Sequence, residues 1–211
     1  LIVMPTYNRA TQIEGVIKMI QNQTVDTWTF LIIDDGSTPE NKTTFRALVD
    51  KYKADDRIMF LENETHKHIA FTLNRGIQHL LDNSMLTHFT WVSDDNDYYS
   101  NFLEKLYIPV KDFTYSWYDV YYTTVKKYGH QRTETACLGN FESLLNGFRG
   151  CASFLWSKQI IQTIGKYNEA YPGCEDYDFL LKTFYELSMD KIEQVPISLM
   201  KYNRHPDSAF E

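Results

Sequence analysis

The chain is poor in cysteine, short of basic charge and without long apolar runs, and each shortage excludes something. Three cysteines, Cys137, Cys151 and Cys174, occur in 211 residues. Their odd number and lack of C-x-x-C spacing give no disulfide framework or zinc ribbon and suit a reducing compartment. No apolar run reaches about 18 residues, so no membrane-spanning helix is encoded. Lys and Arg number 21 against 28 Asp and Glu, a formal net charge of −7, which removes the basic footprint a nucleic-acid binder needs. A small phosphate ester is not excluded, because a metal ion or a helix N-terminus supplies positive charge locally. Internal repeats, low-complexity tracts and linkers are also missing. No signal peptide leads the sequence, but it opens at Leu1 inside an apolar run and reads as trimmed, so that absence carries no weight.

What is present is a globular composition, 43% apolar and 15% aromatic, enough for one domain with a substantial core. Short apolar runs alternate with helical periodicity. Leu1–Met4 reads as a buried strand ending at Pro5, and Thr11 with Glu14 as a capping box ahead of Ile13, Val16, Ile17 and Ile20. Phe30–Ile33 is a second strand. Thr38, Pro39 and Glu40 then supply a cap, an N1 proline and an acidic first turn. Ile58–Leu61 is a third strand, Ile69, Leu73, Ile77 and Leu80 line a third helix, and His88–Val92 is a fourth strand. Such alternation predicts a parallel sheet with right-handed crossovers. Ligands bind outside the carboxyl ends of its strands. The second half is less regular: strands over Tyr115–Lys126, Cys151–Trp156 and Glu193–Tyr202, a helix capped by Ser157 reaching Ile164, and another starting at Gly173-Cys174-Glu175-Asp176.

Three polar clusters fall at the predicted strand ends: Pro5–Arg9, Asp34–Thr38 and Ser93–Asp97. Asp94, Asp95 and Asp97 repel one another, and a hard divalent cation with oxygen ligands would offset that repulsion; a solvated turn is the other reading. Asp34 and Asp35 could accept hydrogen bonds from a nucleobase imide or ribose, or simply cap a turn. Glu175 and Asp176 at a helix N-terminus read either as a cap or as a general base kept ionised by the helix dipole. His66-x-His68 reads as solvent-exposed loop residues in preference to a metal pair, Lys126-Lys127 as a solvated face, and the 15 tyrosines mostly as core and rim.

Together these residues resemble glycosyltransferase family 2, the inverting nucleotide-sugar enzymes of the GT-A fold. The resemblance is carried by Pro5-Thr6-Tyr7-Asn8-Arg9, Asn22-Gln23-Thr24, Ile32–Thr38, Leu73-Asn74-Arg75-Gly76-Ile77 and Trp91–Asp95. It continues through Gly150-Cys151-Ala152, Cys174–Asp178 and Tyr202–Ser208. It implies an α/β, GT-A-like single domain over 1–211 with a Rossmann-like, mostly parallel central sheet flanked by helices. Residues 1–110 would form the nucleotide half and 111–211 the acceptor side. It further implies that Pro5, Thr6 and Tyr7 hold the nucleotide, that Asp35 bonds the uracil edge, and that His68 lies near the base or phosphates. Asp94 would approach the ribose, Asp95 would ligate Mn2+ or Mg2+, Asp176 would be the catalytic base with Glu175 beside it, and His205 would lie near metal or diphosphate. Similar sequences carry an acid-x-acid pair beginning two residues before Asp95, where this chain has Ser93; its own triplet is Asp95-Asn96-Asp97, which makes Asp97 a second metal candidate.

The expected activity is metal-dependent, inverting transfer of a sugar from a nucleotide diphosphate, UDP foremost, to a hydroxyl of a glycan, lipid-linked sugar or protein, in the cytoplasm or at a membrane periphery. A non-catalytic sugar- or nucleotide-sugar-binding module on the same fold is the alternative. A sugar-1-phosphate nucleotidyltransferase would open with a glycine-rich loop, and Pro5–Arg9 has no glycine. A response-regulator receiver would place its phosphorylatable Asp after the third strand, where Leu61-Glu62 stands.

Overall fold

The computed structural model describes residues 1–122, 133–146 and 152–204. Strands β1 (Ile2–Thr6), β2 (Phe30–Asp34), β3 (Ile58–Glu62) and β4 (His88–Trp91) alternate with helices α1 (Ala10–Gln21), α2 (Pro39–Tyr52) and α3 (His68–Asp82). Next come β5 (Asp97–Tyr98), α4 (Phe102–Leu106), β6 (Phe113–Tyr122), β7 (Thr133–Ala136) and α5 (Phe141–Leu145). The chain continues with β8 (Phe154–Ser157), α6 (Lys158–Ile164), α7 (Glu175–Glu186) and β9 (Ile192–Arg204). The strands form one sheet in the order β3-β2-β1-β4-β8-β6-β9-β5, with β7 on β6.

The predicted parallel arrangement holds for β1 to β4: β1 pairs parallel with both β2 and β4, and β2 with β3. The second half makes the sheet mixed, since β8 runs antiparallel to β4 and β6 while β6 and β9 are parallel. A parallel strand buried on both faces reads as a continuous apolar run. Accordingly Ile2, Met4, Phe30 and Ile32 enter one core with Ile13, Ile17 and Phe45. Val3, Leu31 and Ile33 enter the other with Leu73, Ile77, Trp156 and Phe179.

Several local expectations change. The first strand continues through Pro5 to Thr6. The capping box does not form: α1 starts at Ala10, so Thr11 lies inside the first turn, and Glu14 instead pairs with Lys18 at 2.9 Å and Lys51 at 2.7 Å. Thr38 is the N-cap of α2 with Pro39 at N1, but its side chain makes no cap bond to the helix. Ser157 does cap α6, its Oγ accepting from the Ile160 N–H at 3.2 Å. Residues 123–126, the Lys126-Lys127 pair, Gly150-Cys151 and His205–Ser208 lie outside the described residues.

Candidate active site

Parallel pairing in register brings the carboxyl ends of β1 and β2 level, with Thr6 opposite Asp34, while Val3 opposite Trp91 sets the exit of β4 beside them. The loops leaving these strands therefore share one rim, and they open on a cleft of ≈ 660 Å³. Pro5, Thr6, Tyr7, Asp35, His68, Asp94 and Asp95 line it from the first half, and Glu175 and Asp176 from the second. Acidic groups more than a hundred residues apart thus face a common space.

Asp35 is 3% exposed and heavily used by the protein itself. Its Oδ1 accepts from the Asn63 amide at 2.7 Å and the Lys67 N–H at 3.0 Å, and its Oδ2 faces His66 Nδ1 at 2.9 Å. Gly36 makes this turn possible: its φ is 72°, and a Cβ there would sit 2.2 Å from the Thr65 carbonyl carbon. The bonds hold up an aromatic ledge that sequence reasoning missed. His66 stacks on Tyr7 with ring centroids 3.9 Å apart, and His68 meets His66 edge-on at 4.4 Å. Tyr7 is 41% exposed, so the ledge presents a stacking face to the cleft. Asn8 beside Tyr7 and His68 within the ledge are, among the described residues, the non-glycine residues with positive φ, at 56° and 67°.

The acidic loop is tightly held. Thr6 Oγ1 donates to Asp94 Oδ2 at 2.7 Å, and Arg9 Nη1 donates to Asp94 Oδ1 at 3.2 Å and Asp95 Oδ2 at 2.6 Å. Ser93, the residue that departs from the acid-x-acid pattern, donates its hydroxyl to Asp95 Oδ1. Burial pushes the Asp94 carboxyl above its ordinary range, against the pull of Thr6 and Arg9. Asn203 of β9 fastens the loop from behind, its amide donating to the Asp95 carbonyl at 3.0 Å and to Asp97 Oδ2 at 3.2 Å. Asp97 does not join the cleft. It lines, with Arg9, Asp94 and Asp95, an adjoining groove of ≈ 550 Å³ beside α1 and pairs with Lys201 at 3.4 Å. His205, the other metal candidate, lies outside the described residues.

Among the described residues no group of three or more His, Cys, Asp or Glu stands ready to hold a metal. Asp94 and Asp95 still offer hard oxygen donors, and a cation such as Mg2+ characteristically takes one or two carboxylates and completes its shell with water and substrate phosphates. The donor set fits that chemistry, with Asp95 the more accessible of the two at 18% against 8% side-chain exposure.

On the opposite wall α7 begins at Glu175 with Glu175, Asp176 and Asp178 in its first turn. Glu175 Oε2 and Asp176 Oδ1 are enclosed and without a hydrogen-bond partner. At Asp176 the pull of the helix dipole is outweighed. Burial, reinforced by the charge of Glu175, pushes its carboxyl up to about 8, since a dipole contributes only about 1 kcal/mol against a desolvation penalty several times larger. The loop leading into α7 is anchored from α3: Asn74 accepts from the Tyr167 N–H at 2.8 Å, and donates to the Tyr167 carbonyl at 3.0 Å and Glu169 Oε1 at 2.8 Å.

A family model described as Glycosyl transferase family 2 matches residues 1–165. A GalNAc(5)-diNAcBac-PP-undecaprenol beta-1,3-glucosyltransferase of Campylobacter jejuni is 30% identical over 105 residues, which cover 50% of this chain and 32% of that protein. Uncharacterized glycosyltransferase RC0461 of Rickettsia conorii is 26% identical over 194 residues, 87% of this chain and 31% of that protein. The chain thus spans about a third of the length of these relatives. Among solved structures, TarS 1-349 of S. aureus in complex with UDP-GlcNAc superposes with a TM-score of 0.71 at 14% identity, covering 98% of this chain and 59% of that one. Mannosyltransferase PcManGT from Pyrobaculum calidifontis in complex with GDP-Man and Mn2+ gives 0.64 at 14%, covering 99% and 57%. At these identities the likeness is one of fold.

Proposed function

The chain belongs to glycosyl transferase family 2, and from that premise we propose that it moves a sugar from a nucleotide diphosphate, UDP in the first instance, to an acceptor hydroxyl with inversion. The observation that carries this reading is the shared cleft: an aromatic ledge and the Asp94–Asp95 pair on one wall, and an enclosed, unpartnered carboxylate oxygen of Asp176 on the other. Tyr7 and His66 stack the base, and the turn held by Asp35 shapes its pocket. Asp95, with Asp94 behind it, would hold Mn2+ or Mg2+, which when bound would neutralise charge growing on the departing diphosphate.

Asp176 takes the proton from the acceptor hydroxyl as that oxygen attacks the anomeric carbon, while Glu175 raises the basicity of its neighbour. The first 110 residues serve the donor and the remainder the acceptor, with Glu169 on the loop before α7 facing the same cleft. That TarS is described with UDP-GlcNAc and PcManGT with GDP-Man and Mn2+ supports a nucleotide-sugar donor and a divalent cation here.

Asp176→Asn tests the assignment. Transfer should fall about 10²–10⁴-fold, the range for loss of a general base, while UDP affinity is retained. Undiminished transfer would overturn the role of Asp176. A panel of nucleotide sugars read by released UDP would identify the donor, and release without any acceptor-dependent increase would favour a binding module with incidental hydrolysis.

A further inference from the structure

All four carboxylate oxygens of Asp94 and Asp95 already carry a donor. Two of these donors are neutral hydroxyls, from Thr6 and Ser93. The other two oxygens share one cationic group, Nη1 of Arg9. A guanidinium bridging two largely buried carboxylates occupies the electrostatic niche of a divalent cation. A cation on Asp95 Oδ2 would lie within about 4 Å of it, where like charges repel strongly at the low effective dielectric of a half-buried site.

We propose that Arg9 is a built-in competitor for the metal: it neutralises Asp94 and Asp95 in the ligand-free protein and leaves Asp95 when a nucleotide diphosphate arrives, so that cation and nucleotide bind as a coupled pair. This inference rests on the donor and cation reading of the cleft given above. The diphosphate is the partner that can draw Arg9 away, because the planar guanidinium fork matches phosphate oxygens as well as it matches carboxylate. The side chain also has room to turn. Arg9 lines both the 660 Å³ cleft and the 550 Å³ groove, standing with Asp94 and Asp95 as the wall between them, and the groove beyond is floored by Gln12 and Gly15 of α1.

The test is Mn2+ binding, read by loss of the free-ion EPR signal, in the presence and absence of UDP. Wild type should bind Mn2+ weakly alone and at least about tenfold more tightly with UDP, a coupling of the usual allosteric size. Arg9→Gln should bind Mn2+ alone at least about tenfold more tightly than wild type, and UDP should then add little, since the two effects are linked. Arg9→Lys, which keeps the charge on a more flexible and more strongly hydrated ammonium, should shift the same way by less, and it serves if the glutamine variant does not fold. If wild type shows UDP-dependent Mn2+ binding but neither variant tightens it, Arg9 is no competitor and the inference fails. If wild type binds no Mn2+ even with UDP, the metal reading itself fails and the inference goes with it.

Discussion

The Asp176 carboxyl, half-buried with one oxygen enclosed, is pushed up to about 8 by burial and by the neighbouring Glu175, so its protonated form should predominate at neutral pH. A base must be ionised to act, so transfer should rise with pH and level off above about 8; kcat/KM measured from about pH 6 to 9 gives that ascending limb. A limb centred near an ordinary carboxylate value would show that Asp176 reacts in a different environment from the one described. The stability consequence has the opposite sense. The folded-state pKa lies above the unfolded 3.8, so the favourable contribution is complete below about pH 4 and is lost as pH rises through about 8. Asp176→Asn removes that penalty and should raise the thermal midpoint at pH 7 by several degrees, at about 2–4 °C per kcal/mol for a chain of this size. Loss of transfer together with increased stability would mark a group selected for chemistry over packing. At the ledge, His66→Ala removes one stacking face and the side chain facing Asp35 Oδ2. An aromatic pair is worth about 0.5–1.5 kcal/mol, so UDP affinity should weaken about two- to twelvefold by titration calorimetry. The sequence offered His66 only as one of two loop histidines, because a ring's value as a stacking surface comes from Tyr7, 59 residues away in the chain, lying 3.9 Å beneath it.

Among the elements, α3 helps join the two walls. Its Gly76 faces β1 so closely that an added Cβ would lie 2.5 Å from a Val3 methyl. In an open helix Gly→Ala gains about 1 kcal/mol, but overpacking a rigid β-branched neighbour costs about 1–3 kcal/mol. The second effect wins, so Gly76→Ala should lower stability in urea denaturation, and adding Val3→Ala should restore part of it. From its other side α3 sends Asn74 to the Tyr167 main chain, tying the loop before α7 to the nucleotide half. The periodicity of Ile69, Leu73, Ile77 and Leu80 made this helix legible, as apolar stripes make most of the first half legible. The Leu73–Ile77 motif contained Asn74 as well, yet its partners come from a loop some 90 residues on and nothing local announces them. Short elements such as α4 and α5 escaped notice because five residues hold too few apolar positions for a period to show.

For the whole molecule, binding is expected to register as stabilisation. Saturation at about 100 times Kd adds about 2.7 kcal/mol, so UDP with Mn2+ should raise the melting temperature by about 5–10 °C, measurable by thermal shift; no movement would count against nucleotide binding at this cleft. Among the described residues no helix is long and apolar enough to cross a membrane, in line with the absence of long apolar runs. The sequence by itself determined the strand–helix alternation, the parallel first half and the acidic loops at its strand ends, because burial on both faces and polar strand exits are written in consecutive residues. Tertiary structure alone decided that β8, β6 and β9 join the same sheet in mixed directions, that Asp97 lines an adjoining groove, and that Arg9 lies across Asp94 and Asp95. It also set the burial that pushes the Asp176 carboxyl up. These depend on which distant groups meet and how much water they exclude, and charge and burial act through space without regard to chain order.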